Sequence, residues 1–435
     1  MTLTLIISAI TVVAMIISVL FKPYFTFKKF KFGLYWIVCF IGAIAILISG
    51  AMPIKSAIDG ITADTSVNPI KILVLFFSMT LISIYLGDAG FFDYIANSVF
   101  VKSKGGQLKL FLILYAVISI LTVFTSNDVI ILTFTPPICL FCKKAGISPR
   151  PFLIGEFVAA NTWSMTLIVG NPTNIYLAQS AGIGFAEYFS VMFLPAIAGG
   201  LTGLLVILLL FKKQLKTPIQ KTENSNSDDR IKIAKVPMIF AIVHLLACII
   251  LLAISEIIGY EMWIICLGLA LSLTIFNLCY YLIVFRTAKP IWYSVIKGPF
   301  ELIPFVLSMF IIVLALNYCG ATAKLGEIML SYTKIDGLSF GLLSAVSANL
   351  LNNIPMSVLF ERVINGQSLS ALYGAIIGSN IGAFITPVGA LAGIMWSKIL
   401  GEYHVKLPFL KFIAYGVAIA LPTLLASLGT LLLVL

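Results

Sequence analysis

Two short polar clusters sit inside otherwise apolar stretches: Thr125-Ser126-Asn127-Asp128 and Leu351-Asn352-Asn353-Ile354-Pro355. Two more interruptions, Gly170-Asn171-Pro172-Thr173-Asn174 and Thr386-Pro387-Val388-Gly389, break runs of the same character. Asn, Ser and Thr offer neutral donors and acceptors, and Asp128 adds a carboxylate; these are groups that hold a small solute or ion. Proline deletes a backbone N–H, and glycine lets backbone approach closely. A backbone opened in hydrocarbon costs several kcal/mol per unpaired group, so it is tolerated only when buried in protein or lining a cavity. The candidate binding residues are therefore Ser126, Asn127, Asp128, Gly170, Asn171, Thr173, Asn174, Asn352, Asn353, Thr386 and Gly389. Asn127, Asp128, Asn352 and Asn353 are also suited to capping the helices that leave the two clusters.

The elements that carry these residues must lie in a membrane. The 435 residues are 60% hydrophobic and only 10% charged, with a mean hydropathy of +1.10. A water-soluble fold does not hide that much apolar surface. The net charge of +11 does not indicate nucleic acid, because the basic residues lie in short loops between apolar runs. The first apolar stretch is followed, not preceded, by its lysines, as expected for a retained helix with its N-terminus outside. Cys139 and Cys142 form a CxxC with no second pair, so neither a metal site nor a disulfide framework is expected. No enzyme-type constellation and no glycine-rich nucleotide loop is present, which argues against direct use of ATP and against any bound cofactor beyond a coupling H⁺ or Na⁺.

Apolar runs at 109–142 and 338–365 are too long for one helix and too short for two full crossings. Each reads as a re-entrant hairpin of two half-length helices, with a polar cluster at its tip. With both hairpins returning to the side they entered, 23 of the 28 basic residues fall on one side, the cytoplasmic one. The N- and C-termini are then both outside. The fold expected is an all-α polytopic membrane protein of two inverted-topology repeats. Residues 1–211 form the first, with hairpin 109–142 and broken helix 151–180. A cytoplasmic linker covers 212–236. Residues 237–435 form the second, with hairpin 338–365 and broken helix 369–400. Each half reads as three helices, a hairpin, a broken helix and a last helix. The residues from Lys71 overlay those from Glu301, with Ser78, Met79, Ile82, Leu86 and Gly90 meeting Ser308, Met309, Ile312, Leu316 and Gly320. Asn161 precedes Gly170 by nine residues, as Asn380 precedes Gly389.

Paired breaks in oppositely oriented halves point to a transporter with its cargo site near the bilayer midplane. Asp128 and Glu156 are the candidate coupling residues, since a carboxylate at membrane depth must pair, bind a cation or take up a proton. The alternatives are that Asp128 is a satisfied cap and that Glu156 reaches the interface near Arg150.

The segments Thr125–Ile138, Phe157–Asn174, Asn349–Pro355 and Ile377–Trp396 resemble the ion-transporter superfamily. Its members include arsenical-pump membrane proteins, NhaD-type sodium/proton antiporters and divalent anion:sodium symporters, and the arsenical-pump branch is the most similar. The symporter branch carries Ser-Asn-Thr at both hairpin tips. Here the tips are Ser126-Asn127-Asp128 and Asn352-Asn353, and the acid disfavours a di-anion. The resemblance implies proton-coupled efflux of arsenite or antimonite by elevator-like alternating access. Sodium-coupled anion transport or sodium/proton exchange is the alternative within the superfamily, and a passive channel the alternative outside it. Implied partners are a small ion or metalloid and the lipid bilayer, with a homodimer and a separate ATPase subunit both allowed.

Overall fold

The computed structural model describes residues 1–21, 24–27, 30–65, 68–102, 106–219, 233–331, 336–364 and 368–435. Helix α1 (Thr2–Phe21) leads through a small antiparallel hairpin, β1 (Tyr24–Phe27) and β2 (Phe30–Gly33), into α2 (Leu34–Ile48) and the short α3 (Ile54–Thr62). Helix α4 (Pro69–Asp88) starts cleanly because the Asn68 side chain accepts from the N–H groups of Ile70 and Lys71, with proline at the first helical position. After α5 (Phe91–Lys102) come α6 (Gln107–Phe124), α7 (Asn127–Lys144), α8 (Arg150–Trp163), α9 (Pro172–Ser180) and α10 (Phe185–Leu210). The second half contains α11 (Lys212–Leu215), α12 (Lys235–Ala253), α13 (Ser255–Ile258), α14 (Met262–Phe285), α15 (Lys289–Ile296) and α16 (Leu302–Tyr318). It closes with α17 (Ala321–Ser331), α18 (Asp336–Leu351), α19 (Asn353–Ile364), α20 (Leu369–Gly382), α21 (Leu391–Glu402) and α22 (Phe409–Val434).

Among the described residues, seven helices are long and apolar enough to cross a membrane: α1, α4, α6, α10, α12, α14 and α22. Helix α10 shows why they need lipid. Leu201, Leu205 and Leu209 on one face are 50%, 60% and 71% exposed, whereas Gly199, Gly203 and Ile207 on the other are buried. Small residues that allow close packing face inward while the large leucines face out, which is not the pattern of a soluble helix. Gly90 and Gly320 both take positive φ, 86° and 76°, and turn the chain into α5 and α17. The sequence did not reveal these two amphipathic helices; α17 bends from α16 by 80°.

The linker expected at 212–236 is shorter than that. Helix α11 opens it, Gln107 Nε2 donates to Thr217 Oγ1 at 2.6 Å, and α12 already begins at Lys235. Residues 220–232 of that linker lie outside the described residues, as does Asn365 at the end of the second hairpin range.

Both polar clusters turn the chain back on itself. Phe111, early in α6, packs on Phe152 and Gly155, early in α8. At the tip Asn127 reaches Asn161, and on the way back Thr135 meets Glu156. Helices α6 and α7 thus flank α8 while running in opposite directions. The legs are not half-length as expected: α6 and α7 have 18 residues each, about 27 Å at 1.5 Å per residue. Pro136 and Pro137 lie within α7 without ending it, and only Thr125 and Ser126 separate the legs.

In the second half, α18 lies directly on α20 through small residues. A side chain on Gly374 would overlap the Gly337 carbonyl, one on Gly378 the Gly341 carbonyl, and one on Gly382 would sit 2.6 Å from Ala345 Cα. Asn349 continues the seam, donating to Gly382 O at 2.8 Å. The Asp336 carboxylate, accepting from Ser368 Oγ at 2.8 Å, pins the two helix starts side by side. Close backbone approach of this kind supplies helix–helix packing where no hydrophobic drive exists between apolar surfaces. Replacing Gly378 with valine should destabilise the protein by about 3 kcal/mol through overpacking against immovable backbone. Valine at Gly429, where a Cβ meets nothing within 4 Å, should cost far less. Thermal unfolding of the two variants in detergent checks this.

The last helices of the two halves, α10 and α22, pack antiparallel. Ser427 Oγ donates to Pro195 O at 2.9 Å and lies against Gly199, while Thr423 lies 3.4 Å from the Cβ position of Gly203. As numbering rises along one helix it falls along the other.

Candidate functional site

A Ser126 side chain accepting from the Val129 N–H, 3.4 Å away, caps α7, so Asn127 and Asp128 are its first helical residues. This corrects the expected caps: the serine before them does the job, which frees both side chains. At the second tip Asn352 takes positive φ, 74°, and its Oδ1 accepts from the Ile354 N–H. Its Nδ2 donates to Val388 O at 2.9 Å, and the Asn353 N–H donates to Gly389 O at 2.9 Å. The second tip is therefore held by carbonyls that the break in its own half releases. Thr386 donates to Asn349 Oδ1 at 2.7 Å, so its hydroxyl is engaged inside that half.

The first break is two tight helical turns, Ser164–Thr166 and Ile168–Gly170, between α8 and α9. Gly170 is required there, because a Cβ would run into the Ser164 carbonyl. Asn171 caps α9 by accepting from the Thr173 N–H at 3.2 Å, and Asn174 Nδ2 donates to Ser164 O at 2.9 Å.

From these pieces a buried chain of amides runs across the protein. Asn127 Nδ2 donates to Asn161 Oδ1 at 3.2 Å. Ser164 Oγ bridges Asn161 O and Asn380 Oδ1, at 2.8 and 3.1 Å. Asn171 Nδ2 also donates to Asn380 Oδ1, at 3.1 Å, while Asn380 Nδ2 donates to Asn174 Oδ1 at 2.6 Å. Asn353 Nδ2 lies 3.5 Å from Asn171 Oδ1. Both tips, the first break and the broken helix of the second half thus meet in one network whose members are at most 2% exposed. Asn161, Ser164, Asn349 and Asn380 were absent from the predicted set. The only sequence signal for them was the shared nine-residue spacing from Asn161 and Asn380 to the break glycines.

What the network leaves open is as informative. Asn127 Oδ1 and Asn353 Oδ1, one from each tip, are buried without hydrogen-bond partners, as are the hydroxyls of Thr166 and Thr173. The Asp128 carboxylate, 5% exposed, accepts no hydrogen bond from the described residues. No Lys or Arg side chain bonds to any of these groups among the described residues. The network is rich in unpaired acceptors, and Asp128 is the acid next to it in the chain. Glu156 stands apart: it is 1% exposed and does not reach an interface near Arg150. Its Oε1 accepts from Thr135 Oγ1 at 2.8 Å, and the Trp396 indole is the other donor beside it. Cys139 and Cys142 are buried in α7 away from the network, and no cluster of three metal-ligating residues occurs among the described residues.

A family model described as citrate transporter (CitMHS) matches residues 24–371, well over half the chain. The chain belongs to that transporter family. Among curated relatives of this citrate-transporter family member, the arsenical pump membrane protein of Escherichia coli K12 is 27% identical over 373 residues, covering 82% of this chain and 84% of the relative. That of Yersinia enterocolitica is 25% identical over 370 residues with the same coverage. Two solved structures share the fold. The YdaH transporter of Alcanivorax borkumensis superposes with a TM-score of 0.56 at 13% identity, covering 99% and 97% of the two chains. MtrF of Neisseria gonorrhoeae gives 0.52 at 12%, covering 99% and 94%. The protein is accordingly a multi-pass membrane transporter.

Proposed function

We propose that this transporter is a secondary, proton-coupled exporter of arsenite or antimonite, working by alternating access between two inverted repeats. The observation that carries the reading is the pair of unpartnered amide oxygens, Asn127 Oδ1 and Asn353 Oδ1, one from each tip of the same amide network, with Asp128 next to Asn127 in the chain. Such a network needs donors from its cargo. Arsenous and antimonous acids are neutral and carry three hydroxyls, which donate to amide, hydroxyl and carboxylate oxygens. A citrate or other polyanion brings more acceptors and negative charge to groups that no Lys or Arg side chain bonds among the described residues. The antiparallel packing of α10 on α22 and the repeated element order support inversion of the halves. Inverted halves give one site two alternative exits. The elevator motion, in which hairpins and broken helices move against the remaining helices, and the placing of both termini outside belong to the same reading.

Amide and carboxylate oxygens also suit Na⁺, so a sodium-bridged anion is the second reading. Proteoliposome flux separates the two. Saturable antimonite or arsenite uptake into inside-out vesicles, driven by a pH gradient and indifferent to sodium, is the expected result. Sodium-dependent flux with competition by citrate would replace the first reading with the second, and non-saturating flux without ion coupling would make the protein a channel.

A further inference from the structure

Away from the asparagine network, a second polar cavity of about 240 Å³ opens where the end of α4, the start of α12, the last third of α14 and α15 meet. Tyr85, Asp88, Asn277, Tyr281, Ser294 and Lys297 line it. Asn277 sits within the apolar helix α14 and is 1% exposed, yet neither its Oδ1 nor its Nδ2 has a hydrogen-bond partner. The Tyr85 hydroxyl beside it is turned toward Thr274. Leaving both ends of a buried amide unpaired is unfavourable by several kcal/mol, so the cavity is built for an occupant that both donates and accepts.

The rim narrows the chemistry. Lys297 pairs with Asp88, whose other oxygen accepts from Ser294 Oγ at 2.5 Å, and the lysine is 59% exposed. Arg286 on the preceding loop and Lys289 at the start of α15 are exposed, and Trp292 and Tyr293 are 66% and 64% exposed on α15. Basic residues with exposed aromatic rings around a short helix mark headgroup depth at a membrane surface.

We propose that this cavity binds a phosphoglycerol group. Its phosphate meets Lys297, and its vicinal hydroxyls donate to Asn277 Oδ1 and Asp88 while accepting from Asn277 Nδ2. An ethanolamine ammonium does not accept the amide N–H, and a choline group has no hydrogen to donate. The phosphoglycerol comes from one of two sources, the headgroup of phosphatidylglycerol or soluble glycerol phosphate.

The test uses full-length protein in detergent. Thermal unfolding is followed with dioleoyl phosphatidylglycerol, phosphatidylethanolamine or phosphatidylcholine, and separately with glycerol 3-phosphate or inorganic phosphate. Phosphatidylglycerol should raise the midpoint by several degrees and the other two lipids should not. The half-saturating concentration should rise at least about tenfold in Lys297→Gln, a rim change that leaves the buried packing intact. In Asn277→Leu the stabilisation should vanish. A shift with glycerol 3-phosphate and none with inorganic phosphate would also support the site and would name the soluble source. Equal stabilisation by all three lipids, or an unchanged response in Lys297→Gln, would overturn the proposal and leave water as the occupant. None of these readouts depends on which cargo the transporter carries.

Discussion

Asp128→Asn should abolish cargo-coupled proton movement, lowering it at least about 100-fold, while the protein still inserts and folds. The substitution keeps the side chain's shape and removes its charge and its proton. Among the described residues no donor compensates that carboxylate, and an uncompensated carboxylate at membrane depth is retained only where it acts. A carboxylate serving merely as a cap would be bonded to backbone N–H groups of α7, but Ser126 already fills that role. Stability should therefore hold or rise, because a buried unpaired charge is removed. The measurement is proton uptake into proteoliposomes on addition of antimonite, alongside thermal unfolding of the same preparation. Unchanged coupling would remove Asp128 from the mechanism.

Asn380→Leu should be the most damaging single change to the network. Asn380 accepts from Ser164 and Asn171 and donates to Asn174. Leucine leaves Asn171 Nδ2 and Asn174 Oδ1 without this partner at once, in a region from which water is excluded, while Ser164 keeps its bond to Asn161 O. At roughly 1 kcal/mol or more for each buried group left unpaired, the loss is about 2 kcal/mol. Transport should fall by about 100-fold because the first break is no longer registered against the second half. Ser164→Ala removes one of these hydrogen bonds and should stay within about tenfold of the parent. If Asn380→Leu transports normally, the amide chain is packing and not part of the site.

The breaks in the sequence announced the architecture because membrane backbone has so little freedom. A Gly-Asn-Pro-Thr-Asn run among leucines has few explanations, and its position after a polar tip, an order repeated in the other half, narrows them further. The partners within the site were harder to read. Asn161 and Asn380 lie inside α8 and α20, away from the breaks, where the glycines beside Asn380 serve helix packing, and an asparagine in a membrane helix is commonly a packing contact. Their centrality comes from which helices cross at that depth, a three-dimensional fact. Capping was misassigned for a local reason: Ser, Asn and Asp are all good caps, and a run of three leaves the choice to backbone register. Asn171 escaped notice as a cap because Pro172 drew attention to the break instead. Glu156 was singled out as an ionisable residue in a membrane segment. Its seclusion with Thr135 follows from the return leg of the first hairpin, which no periodicity encodes. The helices α5 and α17 were overlooked because short amphipathic segments carry weak hydropathy.

The central claim is that both tips present their free amide oxygens to one cargo. Antimony scatters X-rays anomalously, so diffraction from crystals of the full chain soaked with antimonite tests the claim directly. The account predicts one antimony peak between Asn127 and Asn353, within contact of Asp128, that disappears in the Asn127→Ala, Asn353→Ala double variant. A peak confined to Cys139 and Cys142, or one that persists in the double variant, would contradict it.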